Sequence, residues 1–391
     1  MSGYTALDPV ELRAALTRAG ADGWLLFDFH GLNPVATRVL GIEGLATRRL
    51  FVWIPAEGEP IAVAHRIELA HVKSFPGRVL PYARWGELHE ALRSVVHGKR
   101  CAMEISPLDA VPYLDRVPSG VVQLVERLGG QVVSSAPLVN RFAATWTAAE
   151  LADHRWAAEA LAEIAQAALR RAVASAGTGL TECQLQAQVI DAMKARGLVL
   201  STPPIVAFGP NAANPHYEPV PGEDATLDPD QVVLLDLWAA RGPHAVFADQ
   251  TWMGFAGTAV PDKVRRVWAV VRDARDAAIA AVRRAAEAGK RVPAFTIDRA
   301  ARGVIDAAGY GEYFVHRTGH SIDRDLHGSG PHLDDYETHD DRELGPGLGF
   351  SVEPGVYLPG EFGVRSEVNV YWDTGSALVT PARPQEGLIG P

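Results

Sequence analysis

A chain of 391 residues with 47% apolar side chains and a mean hydropathy of −0.01 is long enough for two globular domains, each with its own core. A net charge of −10 and an isoelectric point near 5.7 weigh against nucleic acid as a partner, because phosphate binding needs a basic surface. The two cysteines, Cys101 and Cys183, fall in different predicted domains without a CxxC spacing, which gives no support to a disulfide framework or zinc knuckle and fits a reducing, cytoplasmic setting.

The segment MSGYTALDPVELRAAL passes from polar residues straight into an amphipathic helical pattern. It lacks the basic and apolar regions of a secretory signal, and no apolar run reaches the roughly eighteen residues of a membrane span, so neither export nor insertion is expected. Helical and strand-like patterns then alternate: the helix around DPVELRAALTRAG, the apolar run GWLLFDF, then RRLFVWIPA and GEPIAVA. This alternation predicts an α/β domain over residues 1–145. A hinge is expected near SSAPLVNRF. Beyond it, TWTAAELADHRWAAEALAEIAQAALRRAVASAG opens with Thr147 and Glu150 in capping-box spacing and keeps a helical period to a Gly stop, starting a second domain over 146–391.

The second domain repeats itself. Its long first helix is followed by TECQLQAQVIDAMKARG, and a later long helix, DKVRRVWAVVRDARDAAIAAVRRAAEAG, is followed by TIDRAARGVIDAAGYG. In both copies a threonine, Thr181 or Thr296, precedes Val-Ile-Asp-Ala by eight residues. The first copy leads into PPIVAFG and the strands QVVLLDLWA and AVFADQTWMGF, joined by the turn ARGPHA; the second leads into GFSVEPGVYL and FGVRSEVNVYW. A duplicated helix-helix-strand unit predicts an α+β domain with an internal pseudo-two-fold. Its two groups of strands would share one sheet, with helices outside and a crevice between the halves.

Asp236 and Asp249 lie 13 residues apart on either side of the predicted turn, in strands that are otherwise apolar: Val232 to Leu235 precede the first, Val246 and Phe247 the second. A carboxylate there is costly to bury unless it is paired or holds a metal. Taken alone, either aspartate could as well cap a strand or pair with an arginine. In FGVRSEVNVYW, period-two alternation sets Arg365, Glu367 and Asn369 on one face and Val364, Val368 and Val370 on the other. With Glu353 in SVEPGVY and His320 in RTGHSI, up to four negative charges and one imidazole meet in one crevice, where repulsion raises carboxylate pKa values unless cations compensate. Two divalent metals would balance them. Four oxygen ligands and one imidazole suit Mn²⁺, Fe²⁺, Co²⁺ or Zn²⁺ better than Cu(I) or an iron-sulfur cluster, and two such ions polarise a scissile carbonyl and make water reactive at neutral pH.

These five positions, in this order, resemble the ligand set of the pita-bread metallopeptidases, a family that includes methionine aminopeptidase, aminopeptidase P, prolidase and the metal-free creatinase. The resemblance covers the second domain and implies that Asp236 chelates one metal, that Asp249 and Glu367 bridge both, and that His320 and Glu353 hold the other. It implies catalytic roles for His216 in NPHYEP, for His327, seven residues after His320, and for Glu353 as proton acceptor or relay. It also implies that His316 lines the substrate groove, and that Tyr357 and Arg365 orient ligands and buffer charge. Of the remaining histidines, His244 in the hairpin turn and His332 and His339 in a polar loop read as solvated.

The chain also departs from that family's pattern. The aspartate pair is more widely spaced, Trp238 stands where the first motif often has glycine, and the sequence after His327 reads GSGPHLDD instead of an acidic-x-Pro continuation. The additional first domain favours the prolidase, aminopeptidase P and creatinase branch, and creatinase lacks the ligands. A dipeptidase needs a cation for the carboxylate of the terminal proline. Counting back from Glu353 puts His339 at the corresponding arginine of prolidases, with Arg342 three residues on; Arg317 and Arg324 are further candidates. The expected activity is that of an Xaa-Pro dipeptidase on proline-containing dipeptides or short peptides, with two divalent ions, Mn²⁺ first among them, in a cytoplasmic homodimer. The alternatives are an Xaa-Pro aminopeptidase acting on longer peptides and a pita-bread binding protein without catalysis.

Overall fold

The first helix begins where the sequence supplies a cap. Asp8 accepts the backbone N–H groups of Val10 and Glu11, Pro9 occupies the first turn, and Gly20 in the left-handed region ends α1 (Pro9–Ala19). In this computed structural model, which describes residues 7–42 and 46–390, α1 belongs to the first of two units, Met1–Ala144 and Thr145–Pro391.

In the first unit α1 is followed by β1 (Gly23–Asp28), α2 (Pro34–Leu40), β2 (Leu50–Pro55), β3 (Ile61–His65), β4 (Arg78–Tyr82), α3 (Trp85–Val96), β5 (Arg100–Met103), α4 (Ser119–Arg127), β6 (Gln131–Ser134) and α5 (Ala136–Phe142). The strands form one sheet in the order β4-β3-β2-β1-β5-β6, in which only β2 runs against its neighbours. Every residue of β1 is buried: Trp24 and Leu26 face one core, Leu25 and Phe27 the other, so apolar layers cover both faces. The expected hinge at SSAPLVNRF is instead α5, started by Pro137 in its first turn and held by buried Leu138 and Val139.

The second unit opens with α6 (Ala148–Ala174), whose capping box is complete: Thr147 bonds the Glu150 backbone, and Glu150 bonds that of Thr147. Then come α7 (Glu182–Ala195), β7 (Ile205–Phe208), β8 (Val232–Ala240) and β9 (Phe247–Phe255), the three strands forming an antiparallel sheet in that order. The alanine-rich face of α6 packs on this sheet through Ala157, Leu161 and Ala165 against Leu235, Leu237 and Trp252. The second half repeats the order with α8 (Asp262–Glu287), β10 (Val292–Pro293) and α9 (Phe295–Ala307). It continues with β11 (Ser321–Ile322), β12 (Glu343–Leu344), β13 (Gly349–Val352), β14 (Gly355–Leu358), β15 (Phe362–Arg365), β16 (Val368–Asp373) and β17 (Ser376–Thr380).

The helix-helix-strand order thus recurs, although the two threonines differ in role. Thr181 caps α7, whereas Thr296 lies inside the first turn of α9 and its hydroxyl donates to the Pro293 carbonyl. Two expectations need correction. The strands do not share one hydrogen-bonded sheet: β11-β13-β16-β17 is an antiparallel sheet of its own, and β14-β15 and β10-β12 are separate pairs. The stretch FGVRSEVNVYW is not one strand either, because it breaks at Ser366 and Glu367. There buried Arg275 donates to Ser366 Oγ (3.0 Å), and Glu367 turns toward β9. Among the described residues no helix is long and apolar enough to cross a membrane.

The segment that carries His320 runs tightly against β13. Thr318 N–H donates to Leu333 O, while Ser351 N–H and Glu353 N–H donate to His320 O and Thr318 O at 2.8 and 2.7 Å. A Cβ on Gly319 would lie 2.0 Å from the Ser351 carbonyl oxygen, a backbone atom that cannot swing aside. Gly319→Ala is therefore expected to destabilise the protein by about 3 kcal/mol and to shift His320 out of line. Urea denaturation together with metal content checks this, and an unchanged midpoint with full metal content refutes it.

Candidate metal centre

The β8–β9 hairpin sorts its side chains by register. Asp236 pairs with Thr251 and Trp238 with Asp249, so these four side chains share one face, while Leu235, Leu237, Ala248 and Trp252 occupy the opposite face against α6. The polar face meets residues from the second half of the unit. Asn369 accepts the Asp249 N–H (2.9 Å) and donates to the Asp249 carbonyl (2.8 Å), a two-point clamp that brings β16 to β9. Thr251 Oγ1 donates to Glu367 Oε2 at 2.9 Å.

His320 closes the cluster. Its Nδ1 lies 3.1 Å from the Ser321 carbonyl, which can only accept, so Nδ1 carries a proton and Nε2 is the atom that faces the cluster, where the carboxylates raise its basicity and a cation would take its lone pair. That Nε2 is 3.4 Å from both Asp249 Oδ2 and Glu353 Oε1. Ser351 Oγ accepts the His320 N–H and donates to Glu353 Oε1, both at 2.9 Å, and so ties the imidazole and the carboxylate together. Ligand atoms of Asp249, His320 and Glu367 all lie within 4.8 Å of one another.

The electrostatics is that of a cluster short of positive charge. Burial, reinforced by the neighbouring carboxylates Asp249 and Glu353, pushes Asp236 up to about 7 even though Arg365 opposes the rise. Burial likewise raises Asp249 and carries Glu367 well above the usual carboxylate range. Glu353 goes the other way: burial would raise it, but His320, His316, Arg365 and Arg317 outweigh that and lower it. Asp236 Oδ1, Asp249 Oδ1 and Glu367 Oε1 are buried with no hydrogen-bond partner. Native structures rarely tolerate such oxygens. Three orphaned carboxylate oxygens beside an imidazole lone pair fit divalent cations, and the mixed O and N donors favour borderline ions over thiophilic ones.

Around the cluster, Arg365 donates from Nη2 to Asp236 Oδ2, from Nε to Thr251 Oγ1 (2.8 Å) and from Nη1 to the Tyr357 hydroxyl (3.1 Å). The Tyr357 hydroxyl lies 2.8 Å from His316 Nε2, and His316 Nδ1 is committed to the Arg317 carbonyl at 2.7 Å. Nε2 is therefore the acceptor and Tyr357 the donor. Burial keeps this imidazole neutral, down to about 4, and pushes the tyrosine up to about 12. His327 stands edge-on to His320 with ring centroids 4.3 Å apart. His216 is exposed, on a loop anchored by buried Glu182, which accepts from Phe208 N–H, Asn211 Nδ2 and the Tyr217 hydroxyl.

Two residues expected to read the substrate are elsewhere. His339 is exposed, bonded to Asp335 Oδ1 (2.6 Å) and stacked on Phe295. Arg342 is buried, with its guanidinium spent on Asp340 and on the carbonyls of Ser329 and Gly330, so it props the loop from inside. His332 is not solvated: it is buried, and its Nδ1 accepts the Ser321 N–H. Arg324 pairs with Glu150. Arg317 is largely buried, lies 3.9 Å from Glu337, and is close enough for its charge to act on His316, His320, His327 and Glu353. Sequence reasoning missed Thr251 and Ser351, although Thr251 shares a strand face with Asp249, two residues before it, and Ser351 stands two residues before the Glu353 it serves.

Comparison with known proteins places this geometry. The chain is 38% identical over 192 residues to the Xaa-Pro dipeptidase of Lactobacillus helveticus, a match over 49% of this chain and 48% of that one. It superposes on the dipeptidase PepE of Mycobacterium ulcerans with a TM-score of 0.74 and 25% identity, covering 99% of this chain and 98% of that one. For the recombinant prolidase of Thermococcus sibiricus the TM-score is 0.68 and the identity 25%, with 99% of each chain covered. The second unit accordingly has the pita-bread fold of these enzymes. The model of metallopeptidase family M24 matches residues 157–373, a span that contains Asp236, Asp249, His320, Glu353 and Glu367, and the chain belongs to that family.

Proposed function

We propose that this metal-dependent peptidase is an Xaa-Pro dipeptidase with two divalent ions, Mn²⁺ the first to test, and that Xaa-Pro aminopeptidase activity on longer peptides is the alternative. The observation that carries the reading is the convergence of four carboxylates and one imidazole with three buried carboxylate oxygens unpartnered. In this assignment Asp236, Asp249, His320, Glu353 and Glu367 would hold the two ions. When bound, the ions neutralise the carboxylates, polarise the scissile carbonyl and lower the pKa of water.

The chain's own groups do the rest. Glu353 stays ionised because His320, Arg365 and Arg317 outweigh its burial, so it can take the proton of the attacking water, and Ser351 fixes the oxygen that faces His320. His327 has its pKa pushed down to about 3 by desolvation and by His320, and as a neutral imidazole it can accept or donate a hydrogen bond at the reacting carbonyl. His216, near enough for its charge to act on His327, is assigned as a second such group from the other half. The pair Tyr357 and His316 holds Arg365 on Asp236. In place of His339 and Arg342 we assign the reading of the substrate carboxylate to Arg317, because its charge acts on His316, His320, His327 and Glu353 at the cluster. The free thiols Cys101 and Cys183 support the cytoplasmic setting; a homodimer is part of the same reading.

Chelation is expected to abolish activity and added Mn²⁺ to restore it, with a thermal stabilisation of about 2.7 kcal/mol at a hundredfold excess over Kd. Asp249→Ala should lose both effects, with activity down at least about a hundredfold; a variant that keeps metal and turnover sinks the assignment. Ala-Pro should be cleaved faster than Ala-Pro-Ala, and the reverse order establishes the aminopeptidase. Arg317→Ala should lower kcat/KM for Ala-Pro by about tenfold to a hundredfold while sparing Ala-Pro amide, which has no carboxylate to read. Equal losses on both substrates would remove Arg317 from that role.

A further inference from the structure

Beside the carboxylate cluster, on the β7 side of the hairpin, the second unit encloses a hollow of about 320 Å³. Its walls are Pro203, Pro204, Ile205, Pro219 and the indole of Trp238. Its place is set by strand register: Ile205 is the cross-strand partner of Asp236, and Trp238 follows Asp236 on the same face, opposite Asp249. An apolar chamber therefore opens next to ligating carboxylates. It is also built rigidly. Trp238 Nε1 donates to Thr202 Oγ1 (3.1 Å), Gln186 Nε2 donates to the Pro204 carbonyl (2.8 Å), and three prolines restrict the surrounding backbone. A wall that is already ordered costs little entropy when a side chain enters.

Charge decides which end of a peptide reaches it. Glu218 and His216 line the hollow, and Glu218 is the one carboxylate among its lining residues, so this end of the crevice favours an ammonium group. The cation assigned above to the substrate carboxylate, Arg317, belongs to the other half of the unit. A dipeptide laid between them puts its amino-terminal residue at Trp238. We propose, resting on the peptidase reading above, that this hollow is the specificity pocket for the side chain preceding the scissile bond, and that Trp238 makes it select large apolar side chains, phenylalanine and leucine over alanine and glycine. An aromatic or branched side chain gains burial and ring contact against the indole and the prolines that glycine lacks entirely.

The test has two arms. In the first, kcat/KM is measured for Gly-Pro, Ala-Pro, Leu-Pro and Phe-Pro, and for the matching Xaa-Ala series. Values should rise along each series by about tenfold or more from glycine to phenylalanine, since one side chain in an apolar pocket is worth roughly 10–200-fold. In Trp238→Ala the ratio of phenylalanine to glycine substrates should collapse to a few-fold, and Trp238→Phe should restore part of it. In the second arm, calorimetry of L-phenylalanine, L-leucine and glycine binding to the Mn²⁺-loaded protein reads the pocket without turnover: the two apolar amino acids should bind at least about tenfold tighter than glycine, and Trp238→Ala should narrow that gap while metal content stays full. Cleavage of Xaa-Ala but not Xaa-Pro, with the trend intact, would refute the proline-specific reading and leave the pocket standing. Flat series together with equal binding of the three amino acids overturns the pocket itself.

Discussion

Four carboxylates drawn into one dry crevice are the constraint around which the second unit is arranged. Two like charges about 4 Å apart repel by about 4 kcal/mol at an effective dielectric near 20. A folded domain commonly has only about 5–15 kcal/mol of stability to set against such terms. Arg365 offsets Asp236, and His320 draws on Asp249 and Glu353, yet the upward pKa of Asp236, Asp249 and Glu367 says that the chain's own cations do not suffice. The strain is tolerable because the carboxylates are fixed from behind: Asn369 holds the backbone of Asp249 from two sides, and Thr251 fixes one oxygen of Glu367. Asp249 Oδ1 and Glu367 Oε1 are left buried and without a hydrogen-bond partner. A site that fixes one oxygen and leaves the other bare is prepared for a cation and for little else.

The same logic runs through the groups around it. Ser351 accepts the His320 N–H and donates its hydroxyl hydrogen bond to Glu353, so the imidazole and the proton acceptor are held as one body. Tyr357 donates a hydrogen bond to His316 and accepts one from Arg365. This chain of bonds starts at the Arg317 carbonyl and ends on Asp236, crossing from the second half of the unit to the first. Pinned in this way, Arg365 cannot swing away to find water when a cation arrives, and it continues to buffer Asp236. Burial supplies the polarity: it holds His316 neutral and Tyr357 protonated, so the bond directions are not ambiguous.

How much of this could be read from the amino-acid order differs by element. The five acidic and imidazole positions were legible because a carboxylate in a run such as Val-Val-Leu-Leu-Asp contradicts its surroundings, and the contradiction asks for a metal. The repeat was legible from Val-Ile-Asp-Ala at equal offsets from Thr181 and Thr296, although the caps differ. Thr251 and Ser351 could have been found by the same period-two counting that set Arg365 and Asn369 on one face. The loop from Asp323 to Arg342 could not. It has almost no regular structure, and no periodicity distinguishes a buried His332 or an inward Arg342 from an exposed His339. Counting residues back from Glu353 fails there, because a loop held by Asp340 and by carbonyl oxygens does not keep the one-residue, one-step relation of a strand. The helix at SSAPLVNRF was mistaken for a hinge for the opposite reason: seven residues are too few to show a helical period, and tertiary burial of Leu138 and Val139 decides.

The two halves of the unit also differ in what they can recognise, and this follows from how each is built. The first half offers strand ends, prolines and a bonded indole, which are rigid and apolar, beside Asp236 and Glu218. The second half offers a polar loop with Arg317 and three histidines, His316, His327 and His332, held neutral by burial. A substrate with an ammonium at one end and a carboxylate at the other sees a gradient along the crevice, negative to positive, that orients it before any contact forms. Orientation then sets which bond lies over the metal ligands. A peptide bound in reverse would put its carboxylate beside Glu218 and its ammonium beside Arg317, and like-charge repulsion at both ends would disfavour it. Direction is therefore set by the charges that the cations leave uncompensated, Glu218 and Arg317, and not by the ligating carboxylates themselves.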